Sequence, residues 1–349
     1  MAKPKINTRH SVRDPKTKKF KSVRPSWTEP GPKGFWNFVK EIKPRIISQN
    51  KYVPWKPTDK QKEIINKALE IDSNGNFKHS ISLAIQPRRF GKSTAFCLVI
   101  VWLFFSRKNF TIQLLGASEL HSRRTQYNTL KNIITNTPKL KALIPERDIQ
   151  NYEIKYKAKN NRIQMSAGSS TNTAFGDRLD LLYLSDFHNI NDLQPWYSFQ
   201  SALLDASESL ILIDSNCDYR DGHVHSLQKE SKLDDSIFCD HLFFKDFDDY
   251  SKRVPQLAPW INIARAKRQM RTSLTVDWKR DLLGQRSDAK NALFKSEVIQ
   301  RCKSKYKIPI SDISELTKGR AYKVGAGLDR SKSLIGGDNT VWTCVLKVD

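Results

Sequence analysis

The chain has 349 residues, enough for one large domain or two ordinary ones, and 38% of them are apolar, so a sizeable core can form. A formal net charge of +24 favours a polyanionic partner, nucleic acid ahead of an anionic membrane. No run reaches the roughly 18–20 apolar residues of a membrane helix, no signal peptide is visible, and five dispersed cysteines argue for a reducing cytosol rather than a disulfide framework or zinc site.

Residues 1–34 carry ten Lys/Arg against two acids, with five prolines, and read as an extended, mobile basic tail. Residues 34–47 (GFWNFVKEIKPRII) predict a short amphipathic helix broken near Pro44. Thr58 is a good N-cap for a helix whose Ile64, Ile65, Ala68 and Leu69 repeat at helical spacing. After Asn74-Gly75-Asn76 the pattern becomes αβ alternation. Strands are expected at 81–86, 110–118, 162–167, 180–186 and 209–215, and helices at 91–106, 119–135 and 257–285. Short apolar strands separated by helices predict an α/β fold, a mostly parallel sheet covered by helices on both faces. Segments 321–329 and 339–348 read as a strand pair too small to bury a core of its own.

The strongest motif is Gln86-Pro87-Arg88-Arg89-Phe90-Gly91-Lys92-Ser93-Thr94, which follows a predicted buried strand and opens a predicted helix. Gly91 lets the backbone approach phosphate oxygens, and the first N–H groups of the helix face the anion. Lys92 supplies a point charge to the β- and γ-phosphates of ATP, and the Ser93 hydroxyl can join a Mg²⁺ shell. Gln86 stands where the general pattern has its first glycine. Arg88 and Arg89 are unusual in such a loop, where a guanidinium can stabilise charge on a transferring phosphoryl group.

A phosphate-loop ATPase also needs an acid at the tip of a second strand. Leu181-Leu182-Tyr183-Leu184-Ser185-Asp186 is the candidate, with Asp186 the sole carboxylate at its tip. Two assignments fit: Asp186 holds the metal, or Ser185 takes the metal side through water and Asp186 is the catalytic acid. The second is preferred, since a hydroxyl can still support hydrated Mg²⁺. A third strand ends in Asp214-Ser215-Asn216, where Ser215 and Asn216 could sense the γ-phosphate. His223 and His225, near Asp218 and Asp221, read as a polar surface loop.

Together these features resemble the terminase large subunits of tailed bacteriophages, from about Lys56 to the end of the chain. PTDKQ (57–61) resembles the adenine-side segment, which implies that Gln61 reads the base, with Tyr52 or Trp55 available for stacking. QPRRFGKST resembles the Walker A loop, with Arg88 as its cis-acting arginine; LLYLSD resembles Walker B, with Ser185-Asp186 in place of an acid pair; ILIDSN resembles the coupling motif. VGAGLDRSKSLIGGDNTV resembles the first strands of an RNase H-like nuclease, which implies metal-binding roles for Asp329 and Asp338 in a nuclease that is incomplete here and expected to be inactive. Arg178 is the candidate trans-acting arginine.

The implied organisation is a basic tail over 1–34, a P-loop ATPase domain over 35–285, a linker over 286–320 and the RNase H-like start over 321–349. The implied function is ATP- and Mg²⁺-dependent translocation of double-stranded DNA into a capsid. The implied partners are a portal protein, a terminase small subunit and further copies in a ring, in the host cytoplasm on a viral procapsid. Candidate DNA grips are Arg123, Arg124, Arg265, Lys267, Arg268 and Arg271. The alternatives are a helicase-like ATPase, which would need a complete second motor domain, and a nucleotide-binding scaffold that grips DNA without turnover.

Overall fold

The computed structural model describes residues 10–13, 20–23, 25–48, 50–165, 178–204, 206, 208–219, 222–286, 322–329 and 341–348. The chain divides into two compact units, Met1–Asn291 and Ala292–Asp349.

The first unit opens with an antiparallel strand pair, β1 (His10–Arg13) and β2 (Phe20–Val23). A 3₁₀ turn at Ser26–Thr28 leads into α1 (Gly31–Ile42). Pro32 lies in the first turn of α1, where a missing N–H is harmless, and left-handed Lys43 (φ 53°) ends the helix before Pro44. The expected tail therefore ends before residue 34. Aromatic burial draws the segment inward: Trp27 packs edge-on to Phe38 (5.9 Å), and its carbonyl accepts from the Trp102 indole (2.7 Å). A hairpin of β3 (Arg45–Ser48) and β4 (Lys51–Pro54) follows, too exposed to have left a hydrophobic pattern. Next is α2 (Asp59–Ala68), capped reciprocally by Thr58 and Gln61.

The sheet has seven strands: β5 (Ile81–Ile85), β6 (Thr111–Leu115), β7 (Glu153–Tyr156), β8 (Asn161–Met165), β9 (Leu181–Ser185), β10 (Leu210–Ser215) and β11 (Ile237–His241). Their spatial order is β11-β5-β10-β9-β6-β8-β7, parallel throughout except at the β7–β8 edge. The helices are α3 (Lys92–Ser106), α4 (Glu119–Ser122), α5 (Asn128–Asn136), α6 (Pro138–Lys141), α7 (Gln194–Ser201), α8 (His223–Glu230), α9 (Phe247–Leu257), α10 (Ile263–Thr272) and α11 (Thr275–Leu283). A π-helical turn at Arg123–Tyr127 joins α4 to α5.

Strand alternation distributes the core. Leu181 and Tyr183 of β9, with Leu210 and Leu212 of β10, face α1, α2, α3 and α5. Leu182 and Leu184, with Ile211 and Ile213, face Trp196 and Phe199 of α7 and Val224 of α8. Helix α3 is apolar on every side because it is buried on every side, from Ala95 to Ser106. A third cluster joins Phe90 to α9, α10 and α11 through Phe244, Tyr250, Val254 and Leu282.

The segment expected to be one helix over 257–285 is two helices with an irregular lead. Asn262 Oδ1 caps α10 through Arg265 N (3.0 Å), and Leu274, in extended conformation, separates α10 from α11. The edge strands β7 and β11, like α9, were not anticipated. In the second unit β12 (Tyr322–Asp329) pairs antiparallel with β13 (Val341–Val348), Asp329 opposite Val341. Among the described residues no helix is long and apolar enough to cross a membrane.

Candidate nucleotide site

The loop after β5 is held by its side chains so that its backbone is free to curve. Gln86 N donates to Ser215 O (3.0 Å), and its side-chain amide donates to Asp240 Oδ2 on β11 (3.3 Å), so the residue in the usual glycine position extends the sheet. Pro87 packs where the chain turns at Gly284 (φ 64°). Arg88 N donates to Asp281 O (2.8 Å), and Arg88 Nε pairs with the Asp281 carboxylate (3.1 Å), which Arg280 also reaches (3.2 Å). Arg89 adopts φ 70° and is exposed. The Phe90 side chain is buried against Phe244 (5.8 Å) and Tyr250 (6.5 Å), anchoring the loop to the α9–α11 cluster. Gly91 (φ 79°) then opens α3. The positive φ favours glycine here, and a Cβ at Gly91 would sit 2.6 Å from Gln61 Nε2, so the Gln61 amide would have to shift. Lys92, Ser93 and half-buried Thr94 form the first turn of α3, with their N–H groups at the positive end of the helix.

Gln61 is buried against this loop with both ends of its amide engaged. Oε1 accepts from Thr58 N (3.1 Å), while Nε2 donates to Phe90 O (3.4 Å) and Gly91 O (3.3 Å). Of the two aromatics expected beside the base, one lies in the core and one on a hairpin. Trp55 is a core residue, stacked on Trp36 (6.2 Å, 8° between planes) and edge-on to Phe35, because its segment completes the aromatic cluster above α3. Tyr52 lies on the β3–β4 hairpin opposite Ile47. The aromatic ring beside the loop is Trp260, whose indole N–H donates to Arg89 O (2.7 Å) and whose ring edge lies 3.3 Å from the Cβ position at Gly91. Trp260 is 49% exposed. The only sequence signal for it was a tryptophan just ahead of a helix cap.

Because β10 lies between β5 and β9, two strand tips meet the loop. Alternation places Ser185 and Asp214 on the α3 face, in direct register on neighbouring strands. Asp214 Oδ1 accepts from Ser93 Oγ (3.1 Å) and Ser185 Oγ (3.3 Å), with Asp186 N at 3.5 Å, and Asp214 Oδ2 accepts from the Tyr183 hydroxyl. Asp214 is fully buried. The side-chain groups bonded to Asp214 are hydroxyls, oxygen donors of the type that suits Mg²⁺. Asp214 was not singled out as a site residue in the sequence. Its parity with Leu210 and Leu212 was visible, but not which strand stood beside β9. Lys92 Nζ donates to Asn216 Oδ1 (2.8 Å). Ser215 Oγ donates to Asn216 O (2.8 Å) and accepts from His188 N (3.1 Å), tying the β10 tip to the turn after β9.

Charge is concentrated and shielded from solvent in this site. Burial pulls the Lys92 ammonium below its usual value, and the Asp214 and Asp186 carboxylates oppose that shift. Asp186, in left-handed conformation (φ 52°), places Oδ2 3.2 Å from His121 Nε2. Burial pushes the Asp186 carboxyl up, but His121 and the Lys92 charge prevail and leave it lowered. His121 is raised in turn by the Asp186 carboxylate. His188 is driven down to about 3 by burial and stays neutral. Burial raises Asp214.

The remaining expected residues lie elsewhere. Arg178 stands at the opposite end of β9 from Asp186, paired with Asp180 (3.2 Å). Arg123 lies over the Tyr152 ring (5.1 Å), while Arg124, Arg265, Lys267, Arg268 and Arg271 are exposed, the last four all on α10. Asp218 Oδ2 accepts from Val224 N (2.9 Å) at the start of α8, and among the described residues no group of three or more His, Cys, Asp or Glu side chains could hold a metal ion. Asp329 ends β12; Asp338 lies outside the described residues.

No protein-family model and no curated protein matches the chain. Solved structures do. The crystal structure of the bacteriophage HK97 large terminase superposes with a TM-score of 0.56 at 15% identity, covering 88% of this chain and 66% of that one. The large terminase of a thermophilic bacteriophage gives 0.50 at 14% identity, covering 66% of this chain and 54% of that one. The same thermophilic phage protein solved in complex with ADP gives 0.50 at 15% identity, covering 66% and 53%. The chain thus spans about two thirds of the length of the HK97 protein and about half that of the thermophilic phage protein. At these identities the likeness is one of architecture: the seven-stranded, mostly parallel sheet with its flanking helices is the fold of the phage large terminases.

Proposed function

We propose that the chain is the ATPase motor of a phage DNA-packaging terminase, hydrolysing ATP and coupling turnover to movement of double-stranded DNA. One observation carries the reading: a helix N-terminus with Lys92 and Ser93 faces two strand tips that bring Asp186, Asp214 and Asn216 to the same point. Backbone N–H groups after Phe90 cradle the phosphates, and the Lys92 ammonium moves from Asn216 to the β- and γ-oxygens. Asp186, held ionised beside His121, orients and deprotonates the attacking water. Ser93 is the residue of the loop that would hold Mg²⁺, which would supply positive charge against the phosphates.

Gln61 braces the loop, and Trp260 offers the base an aromatic face at the loop's edge. Arg88 swings from Asp281 towards the transferring phosphoryl group; its side chain is half-exposed and so has room to move. The basic residues of α10, in the same helical cluster as Phe90, grip DNA phosphates without reading sequence. We assign the β12–β13 pair to the start of an RNase H-like domain, and the portal, the small subunit and a ring of copies as partners on the procapsid.

Phosphate release measured with and without DNA tests this. Turnover in the parent that Asp186→Asn abolishes, with ATP binding retained, is the expected result. Binding without turnover in the parent would instead mean a nucleotide-dependent scaffold, and no binding at all would end the nucleotide reading.

A further inference from the structure

We propose that Asp214, on the strand next to the one carrying Ser185 and Asp186, is the metal-side carboxylate of the nucleotide site. The inference rests on the nucleotide reading above and concerns which residue supports the cation.

The last residue of β9 on the α3 face carries a hydroxyl, Ser185. A hydroxyl alone contributes no charge towards a divalent cation among phosphates. The parallel register sets Asp214 beside Ser185, on the same face of the sheet. One carboxylate oxygen is fixed by the Tyr183 hydroxyl. The other oxygen lies 3.1 Å from Ser93 Oγ, the loop hydroxyl that joins such a metal shell. A fully buried carboxylate is unfavourable unless a cation compensates it. Among the described residues no Lys or Arg nitrogen forms an ion pair with Asp214, and the Lys92 ammonium, which acts on it through its charge, is hydrogen-bonded to Asn216. Asp214 is therefore a buried carboxyl group beside three hydroxyls with no Lys or Arg nitrogen in contact, the arrangement a hydrated Mg²⁺ would complete. Asp186 is then free to act on water, and the two tasks usually given to adjacent acids on one strand are divided between two strands.

Nucleotide affinity with Mg²⁺ and in chelator tests this, using a fluorescent ATP analogue, with thermal melting to confirm folding. In the parent Mg²⁺ is expected to tighten binding. In Asp214→Asn the gain that Mg²⁺ gives over the same variant in chelator should fall on the order of 10–100-fold below the parent's gain. The exchange variant Ser185→Asp/Asp214→Ser, which moves the carboxylate one strand over, should recover it. An Asp214→Asn protein that keeps the full gain overturns the proposal, as does an exchange variant that folds and binds in chelator without recovering it. If Asp214→Asn does not fold, the parent crystallised with Mn²⁺ and a non-hydrolysable ATP analogue decides. The anomalous Mn²⁺ peak should lie within one bridging water of Asp214, about 4–5 Å from its oxygen; a peak farther away overturns the assignment. A parent that binds no nucleotide defeats the functional reading itself, a distinct outcome.

Discussion

The phosphate loop and the strand tips facing it stabilise charge in opposite ways. The loop uses backbone: two left-handed residues, Arg89 and Gly91, turn the chain into the start of α3, while Gln86, Arg88 and Phe90 anchor it from outside. The tips use side chains contributed by two strands, Asp186 beside His121 and Asp214 among Tyr183, Ser185 and Ser93. A loop of that kind is contiguous in sequence. A cluster of that kind exists only once the strand order is set.

The sharpest break in the comparison should come from the tips. Asp186→Asn is expected to lower turnover on the order of 10²–10⁴-fold with nucleotide affinity little changed, read by single-turnover phosphate release and equilibrium binding. On the loop side, Gly91→Ala should instead remove binding, since it adds a Cβ 2.6 Å from Gln61 Nε2 at a positive φ. A titration showing affinity within about threefold of the parent, under RT ln 3 of roughly 0.7 kcal/mol, would contradict the close fit. Asn216→Ala removes the acceptor of Lys92 and should shift nucleotide affinity or turnover by about tenfold, in keeping with a hydrogen bond to a charged group.

A smaller effect separates two histidines by pH. His121 is raised from 6.5 by the Asp186 carboxylate, so the stability it contributes is complete below pH 6.5 and is lost as pH rises through the raised value. Asp186 is lowered from 3.8, so its share of the pair is lost only as pH falls below that value. His188, driven to about 3 by burial, has the opposite sign: it opposes folding increasingly as pH falls below 6.5. Melting curves between about pH 5 and 8 should show His121→Asn losing most against the parent at the acid end. His188→Asn should lessen the parent's own decline there. The smallest expected change is Thr58→Ala, which opens the capping box at α2 by removing the hydroxyl that accepts from Gln61 N, about 1 kcal/mol by thermal or denaturant unfolding.

Much of the fold was legible in the sequence. Strands β5, β6, β8, β9 and β10, helix α3 and the Thr58 cap all sit within a few residues of their expected places, because buried parallel strands and an all-apolar helix leave strong local patterns. The edge strands β7 and β11 escaped because half-exposed edges carry mixed residues. The tail was drawn too long because its proline and lysine content outweighed one tryptophan that the core recruits.

The residues from Ile81 to Thr94 determine by themselves a strand, a left-handed turn at Gly91 and the start of an apolar helix, since these need only local sequence. Only the tertiary structure decides which carboxylate reaches Ser93, that Trp55 stacks in the core while Trp260 lies at the loop, and that Arg88 rests on Asp281. Each of these depends on which strands and helices become neighbours. That choice is made by packing both faces of one sheet at once, and no stretch of the chain encodes it alone.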